Sequence, residues 1–130
     1  MQDIRVPISP GELLDKITIL RIKSARMSDA AKLANVRHEL QLLEQTWATA
    51  VPAGLDLSGE ERALEAVNAR LWDVEDRLRD QEAQKRFDAD FVELARAVYF
   101  NNDERAAIKK RINTKLGSAL VEEKSYRPYA

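Results

Sequence analysis

Ile8-Ser9-Pro10-Gly11-Glu12-Leu13-Leu14-Asp15-Lys16-Ile17-Thr18-Ile19-Leu20 is the stretch that decides the fold. It opens as a helix must. Ser9 stands as N-cap, Pro10 takes the first helical position, and Glu12 completes a capping box. Ile8 and Leu13 flank the cap as a hydrophobic staple would. Beyond the cap, Leu13, Leu14, Ile17 and Leu20 share one face at helical pitch, while Ile19 and Ile22 point to the other side. Apolar residues on both sides predict a central helix, or one with a face in a subunit contact. This helix runs to about Met27.

The same grammar repeats down the chain. After Ser28-Asp29, residues Leu33, Val36, Leu40, Leu43 and Trp47 recur at spacings of three and four, the seam of an antiparallel helix pair. Residues 50–57 form the one long loop. Ser58-Gly59-Glu60-Glu61 reads as a second capping box, followed by Leu64, Val67, Leu71, Val74 and Leu78. That helix fades near Lys85-Arg86. Asp88 then caps a last stretch, with Phe87 and Val92 as staple and Phe91, Leu94, Ala95 and Val98 facing inward. Asn101-Asn102-Asp103 is a place for a break or kink. Ile108, Ile112 and Leu116 continue the pattern, and Gly117 is a fitting stop. The expected fold is all-α: one domain over residues 1–130, built as an antiparallel bundle of about four long helices. Segments 1–8 and 118–130 lie outside the helices. Ile4, Val6 and Ile8 alternate like a strand, so a minor terminal β-pair with Leu120–Tyr126 is expected as an adjunct. A wrap around the bundle or a disordered tail are its alternatives.

Composition narrows the function. A third of the 130 residues are charged, yet 21 Lys+Arg against 22 Asp+Glu leave a net charge of −1. Near-neutrality argues against a dedicated nucleic-acid binder, and the run Lys109-Lys110-Arg111 lacks interleaved aromatics. With 45% hydrophobic residues the chain is not a disordered acidic tail. There is no cysteine and a single histidine, His38, expected on the surface. Thiol, zinc-ribbon and Ser-His-Asp chemistry are thereby disfavoured, and neither metal nor cofactor is expected. No apolar run approaches a membrane span, and Met1-Gln2-Asp3-Ile4-Arg5 lacks the layout of a signal peptide. A cytoplasmic protein is the expectation.

Polar residues in unexpected places mark the candidate sites. The inward stripe Phe91, Ala95, Val98 becomes Asn102, Arg105 or Ala106, Lys109 and Asn113 when continued at helical pitch. Either this is a polar pocket at one end of the bundle, or a break at Asn101–Asp103 resets the phase onto a solvated face. A buried polar group without a partner costs about 1–3 kcal/mol, so a pocket would need partners or a ligand. Lys16 and Lys23 of the first helix could join Arg105 and Lys109 around a phosphate or carboxylate, with Asn102 and Asn113 positioning it and Asp103 as acid or base. The plainer reading of Lys16 is a surface pair with Glu12. Asp73, Asp76 and Asp80 form an acidic stripe on the third helix, read as facing a partner or solvent rather than holding Mg²⁺. Glu75 and Arg79 are placed for a semi-buried ion pair.

Several of these segments together resemble a bacterial domain-of-unknown-function family of short helical proteins. They are residues 8–20, Leu71-Trp72-Asp73-Val74-Glu75-Asp76, Val98-Tyr99 through Asn102-Asp103-Glu104-Arg105, Ile112-Asn113, and Val121-Glu122-Glu123-Lys124-Ser125-Tyr126. The resemblance implies a setting, near glycosyltransferase or surface-polysaccharide machinery, and no reaction. Two functions compete on this basis. One is a helical interaction or accessory module, self-associating as a homodimer or binding a protein partner. The other is a small-ligand protein, or a metal-independent enzyme, for an anionic sugar phosphate or sugar nucleotide.

Overall fold

The computed structural model describes residues 1–129 and contains four helices. They are α1 (Pro10–Arg26), α2 (Ala30–Ala50), α3 (Ser58–Ala83) and α4 (Ala89–Lys115). The starts are set locally. Ser9 Oγ accepts the Glu12 N–H at 3.2 Å, and Pro10 occupies the first turn, where a missing N–H costs nothing. Asp29 caps α2 through the Lys32 N–H, and Asp88 caps α4 through those of Asp90 and Phe91. The second capping box differs from expectation. Ser58 is itself helical, and Asp56 Oδ1 accepts both its N–H and its hydroxyl. Gly117 ends α4 at φ 62°, and the Ser118 N–H returns to the Asn113 carbonyl at 2.9 Å.

α4 runs without interruption through Asn101–Asp103. Three residues of middling helix propensity cost only tenths of a kcal/mol each, less than packing along α3 returns. Asn101 Nδ2 donates to the Ala97 carbonyl one turn back at 2.7 Å. The phase of the stripe is therefore never reset, and its polar half continues on the inward face.

The terminal β-pair does not form; among the described residues there is no strand. Ile4 and Val6 remain 76% and 66% exposed, so alternation there buries nothing, and an isolated two-stranded ribbon has no support of its own. The C-terminal segment instead runs back along α4. Glu122 reaches Lys109, and Tyr129 reaches Asp103 and stacks against Tyr99 and Phe100. The semi-buried Glu75–Arg79 pair is also absent; both residues are exposed. Phe87 packs edge-on against Phe91, while Val92, its expected partner, is half in solvent.

α3 and α4 form a long antiparallel pair, braced by Arg70–Glu104 midway and Lys115–Glu60 at one end. α1 lies across that end. The core where the three meet is Leu14, Leu64, Val67, Ile108 and Ile112, with Trp47 of α2 packed against its edge. α2 packs its backbone on α1 alone, and none of its residues is buried. Within the all-α bundle, three helices thus share the core and the fourth is a thin outer layer. α1 has 17 residues against 26 in α3. At 1.5 Å per residue it covers about 26 Å of a pair about 39 Å long. The far third of α3 and α4 projects beyond it.

Candidate functional site

The inward polar stripe of α4 meets α1 and α3 in one cluster. At its centre Asp15 is 1% exposed although it is a carboxylate. Arg105 holds it in a two-pronged contact, Nε to Oδ1 at 2.9 Å and the terminal nitrogen to Oδ2. Asn68 of α3 donates to the same Oδ1 at 2.9 Å and to Thr18 Oγ1 at 3.0 Å. Thr18 in turn donates to the Asp15 carbonyl at 2.8 Å. The planar fork of arginine suits a carboxylate in this way and lysine would not. The hydrogen bond to Asp15 raises the Arg105 pKa above its ordinary value, against the opposing effect of burial.

One turn along, Lys109 is buried with its Nζ between Glu12 at 2.7 Å and Glu122 at 2.9 Å. Burial pushes the pKa of this amine down, but the hydrogen bonds to the two glutamates outweigh it, and its pKa lies above the ordinary lysine value. It is a structural cation, not a neutral nucleophile. A further turn on, Asn113 Oδ1 accepts the Gly11 N–H at 2.7 Å. Gly11 is obligatory here: a Cβ would stand 2.6 Å from the Lys109 carbonyl oxygen and 2.9 Å from Asn113 Oδ1. The N-terminus of α1 is thus pressed against α4, and one of its orphan amides is satisfied by a side chain 102 residues away.

Of the residues the sequence singled out, Arg105, Lys109 and Asn113 come together in this cluster. Lys16 is exposed beside it, 3.6 Å from Glu12. Lys23 is half-buried further along α1, with no carboxylate in ion-pair reach among the described residues. Asn102 is exposed, and Asp103 accepts the Tyr129 hydroxyl at the surface. Asp73, Asp76 and Asp80 are all exposed; Asp73 receives Arg26, whose guanidinium also lies over Trp72. Sequence reasoning gave no site role to Gly11, Asp15, Thr18, Asn68 or Glu122. A signal was there. Gly11, Asp15 and Thr18 follow one another at spacings of four and three, a second inward stripe that is small and polar until Ile22 continues it as apolar. Asn68 stands four residues after Leu64 on the inward side of α3.

Chemically the cluster is self-neutralising. Half-buried Arg105 carries one carboxylate and buried Lys109 two, and together they brace α1 to α4 and, through Asn68, to α3. Glu122 makes it sensitive to acid. Its bond to Lys109 holds the Glu122 carboxyl below the ordinary glutamate value of 4.5. The contribution of this contact is therefore full above about pH 4.5 and is lost as pH falls through the lower folded value. Acidification below that point, or Glu122→Gln at neutral pH, is expected to loosen residues 118–129. Proteolysis within the segment should become several-fold faster while helicity by circular dichroism stays unchanged. Equal cleavage rates for the native chain and Glu122→Gln at pH 7 would contradict this.

Away from the cluster the described surface carries open grooves, two of them of about 370 Å³ each. One is mostly apolar and lies between the projecting ends of α3 and α4. The other runs along α2 and includes Arg37, Leu40 and Glu44, the last of which pairs with Arg21 of α1. Among the described residues no three His, Asp or Glu side chains converge as metal ligands would, and no helix is long and apolar enough to cross a membrane. No curated protein and no solved structure matches this chain. A family model does, over residues 4–129, which takes in all four helices and the cluster that joins them. With nearly its whole length matched, the chain belongs to DUF6165, a family of unknown function.

Proposed function

We propose that the protein is a helical interaction module that works by presenting its projecting α3/α4 face to a protein partner. The observation that carries this reading is the division of labour between two parts of one helix pair. Where α1 covers the pair, the polar groups are saturated by one another. Where it does not, Leu78, Ala95 and Val98 are left half-exposed with no further helix over them, and Phe91 is met by Phe87 at its edge. Surfaces of that kind mark contact sites more often than solvated faces. The family resemblance supplies a setting, accessory to glycosyltransferase or surface-polysaccharide assembly in a bacterial cytoplasm.

A small anionic ligand, such as a sugar phosphate or sugar nucleotide, is the competing reading. What favours it is Glu122, a carboxylate from a surface segment lying where an outside anion would sit on Lys109. Against it, Glu12 and Asp15 already neutralise Lys109 and Arg105. A thermal-shift titration with sugar nucleotides and sugar phosphates separates the two. The interaction module gives no shift beyond about 1 °C at millimolar ligand. A saturable rise of several degrees, abolished by Lys109→Met, would overturn it, because a ligand at a hundred times its Kd stabilises by about 2.7 kcal/mol.

A further inference from the structure

We infer that the partner of the α3/α4 face is a second copy of this chain, docked groove to groove to make an intermolecular four-helix bundle. This rests on the interaction-module reading and names the occupant of its surface.

The groove is lined by Leu78, Arg79 and Glu82 of α3 and by Phe91, Ala95 and Val98 of α4. It continues the face on which α1 lies. Val98 stands two helical turns before Arg105, and Leu78 four turns after Leu64, so the positions that hold α1 at one end are bare at the other. α1 stops where Arg26 meets Asp73, one to two turns short of Leu78. The apolar floor lacks the helix that covers the rest of its length.

Two features of the chain select a second copy. The first is charge. A two-fold contact brings the same patch onto itself, so it must be self-complementary. Arg79 and Glu82, one turn apart at the groove, meet that need: with the hairpins antiparallel, Arg79 faces the partner's Glu82, and Glu82 the partner's Arg79. The second is shape. A two-helix hairpin with an apolar face completes a four-helix bundle by pairing with another of its kind.

Sedimentation equilibrium of the full chain from 1 to 200 μM tests this with three single variants and one double variant. The expected native mass is about twice 14.8 kDa. Val98→Glu places a charge on the groove floor and is expected to raise the dissociation constant at least a hundredfold, with helicity retained. Arg79→Glu and Glu82→Arg, both at exposed positions that should not disturb folding, each raise it about tenfold, or about 1.4 kcal/mol over two symmetry-related pairs. The double charge exchange restores it to within about threefold of native. A native dimer indifferent to all three variants would overturn the groove-to-groove contact and leave an interaction module using another face. A strict monomer at 200 μM would overturn self-association. The wider reading then depends on a photo-crosslinker at Val92, beside the groove. A discrete adduct with another protein in cells would keep it, and no protein adduct would end it.

Discussion

Arg105→Ala is expected to lower the stability of the folded chain by about 3–5 kcal/mol, close to the whole margin of a marginal domain. The reason is the company Asp15 keeps. Among the described residues Arg105 is the one cation that touches it, and its other hydrogen bonds are from a neutral amide of Asn68 and within its own turn. Without the guanidinium, a carboxylate 1% exposed is left charged and dehydrated between three helices. The pair itself need not stabilise the fold, because removing two ions from water costs about what their attraction returns. The double variant Asp15→Leu, Arg105→Met is therefore expected to recover at least half of the loss. Asn68 would still have Thr18 Oγ1 as a partner. Urea unfolding followed by circular dichroism measures both. A loss below about 1 kcal/mol for Arg105→Ala would mean that Asp15 is hydrated and the helices are not braced through it.

The second large effect is expected at Gly11, through backbone rather than charge. Gly11→Ala should gain up to about 1 kcal/mol from helix propensity, yet the net result is expected to be a loss of about 3 kcal/mol. The new methyl group meets the Lys109 carbonyl oxygen at 2.6 Å, and a main-chain atom in mid-helix cannot step aside as a side-chain tip can. α1 must lift from α4, which stretches the Gly11 to Asn113 bond and opens the Lys109 pairing with Glu12 one turn away. The Gly11 amide should then lose its protection from hydrogen exchange. A Gly11→Ala protein as stable as the native chain, with that amide still protected, would show that the close approach is not maintained in solution.

The helices were legible in the sequence because their signals are local. Ser9, Asp29 and Asp88 each cap a helix with their own side chain, Gly117 stops one, and the three-and-four spacing of Leu64 and Val67 or Ile108 and Ile112 names the core. Two expectations failed where a local signal was outweighed by something at a distance. Asn101–Asp103 has the composition of a break, but α3 lies alongside and the helix continues. Ile4, Val6 and Ile8 have the alternation of a strand, but no sheet exists to accept them. The candidate site was half legible for a related reason. Arg105, Lys109 and Asn113 stand out as polar residues on an apolar stripe, which is a property of α4 alone. That Asp15, Glu12 and Gly11 answer them depends on the register between α1 and α4, which no residue spacing encodes. The cations therefore read as open to a ligand, whereas their carboxylates come from the chain itself.

Hydrogen exchange with mass spectrometry on the native chain, at 1 and 200 μM and with or without millimolar sugar nucleotide, is the most direct test of that division between a closed polar cluster and an exposed apolar groove. Protection of peptides covering residues 78–98 is expected to rise with protein concentration. Peptides covering Gly11–Thr18 and Arg105–Asn113 are expected to be protected equally at both concentrations and to ignore the nucleotide. The contradictory result is the reverse pattern: groove peptides indifferent to concentration, and cluster peptides that become protected only when the anion is added.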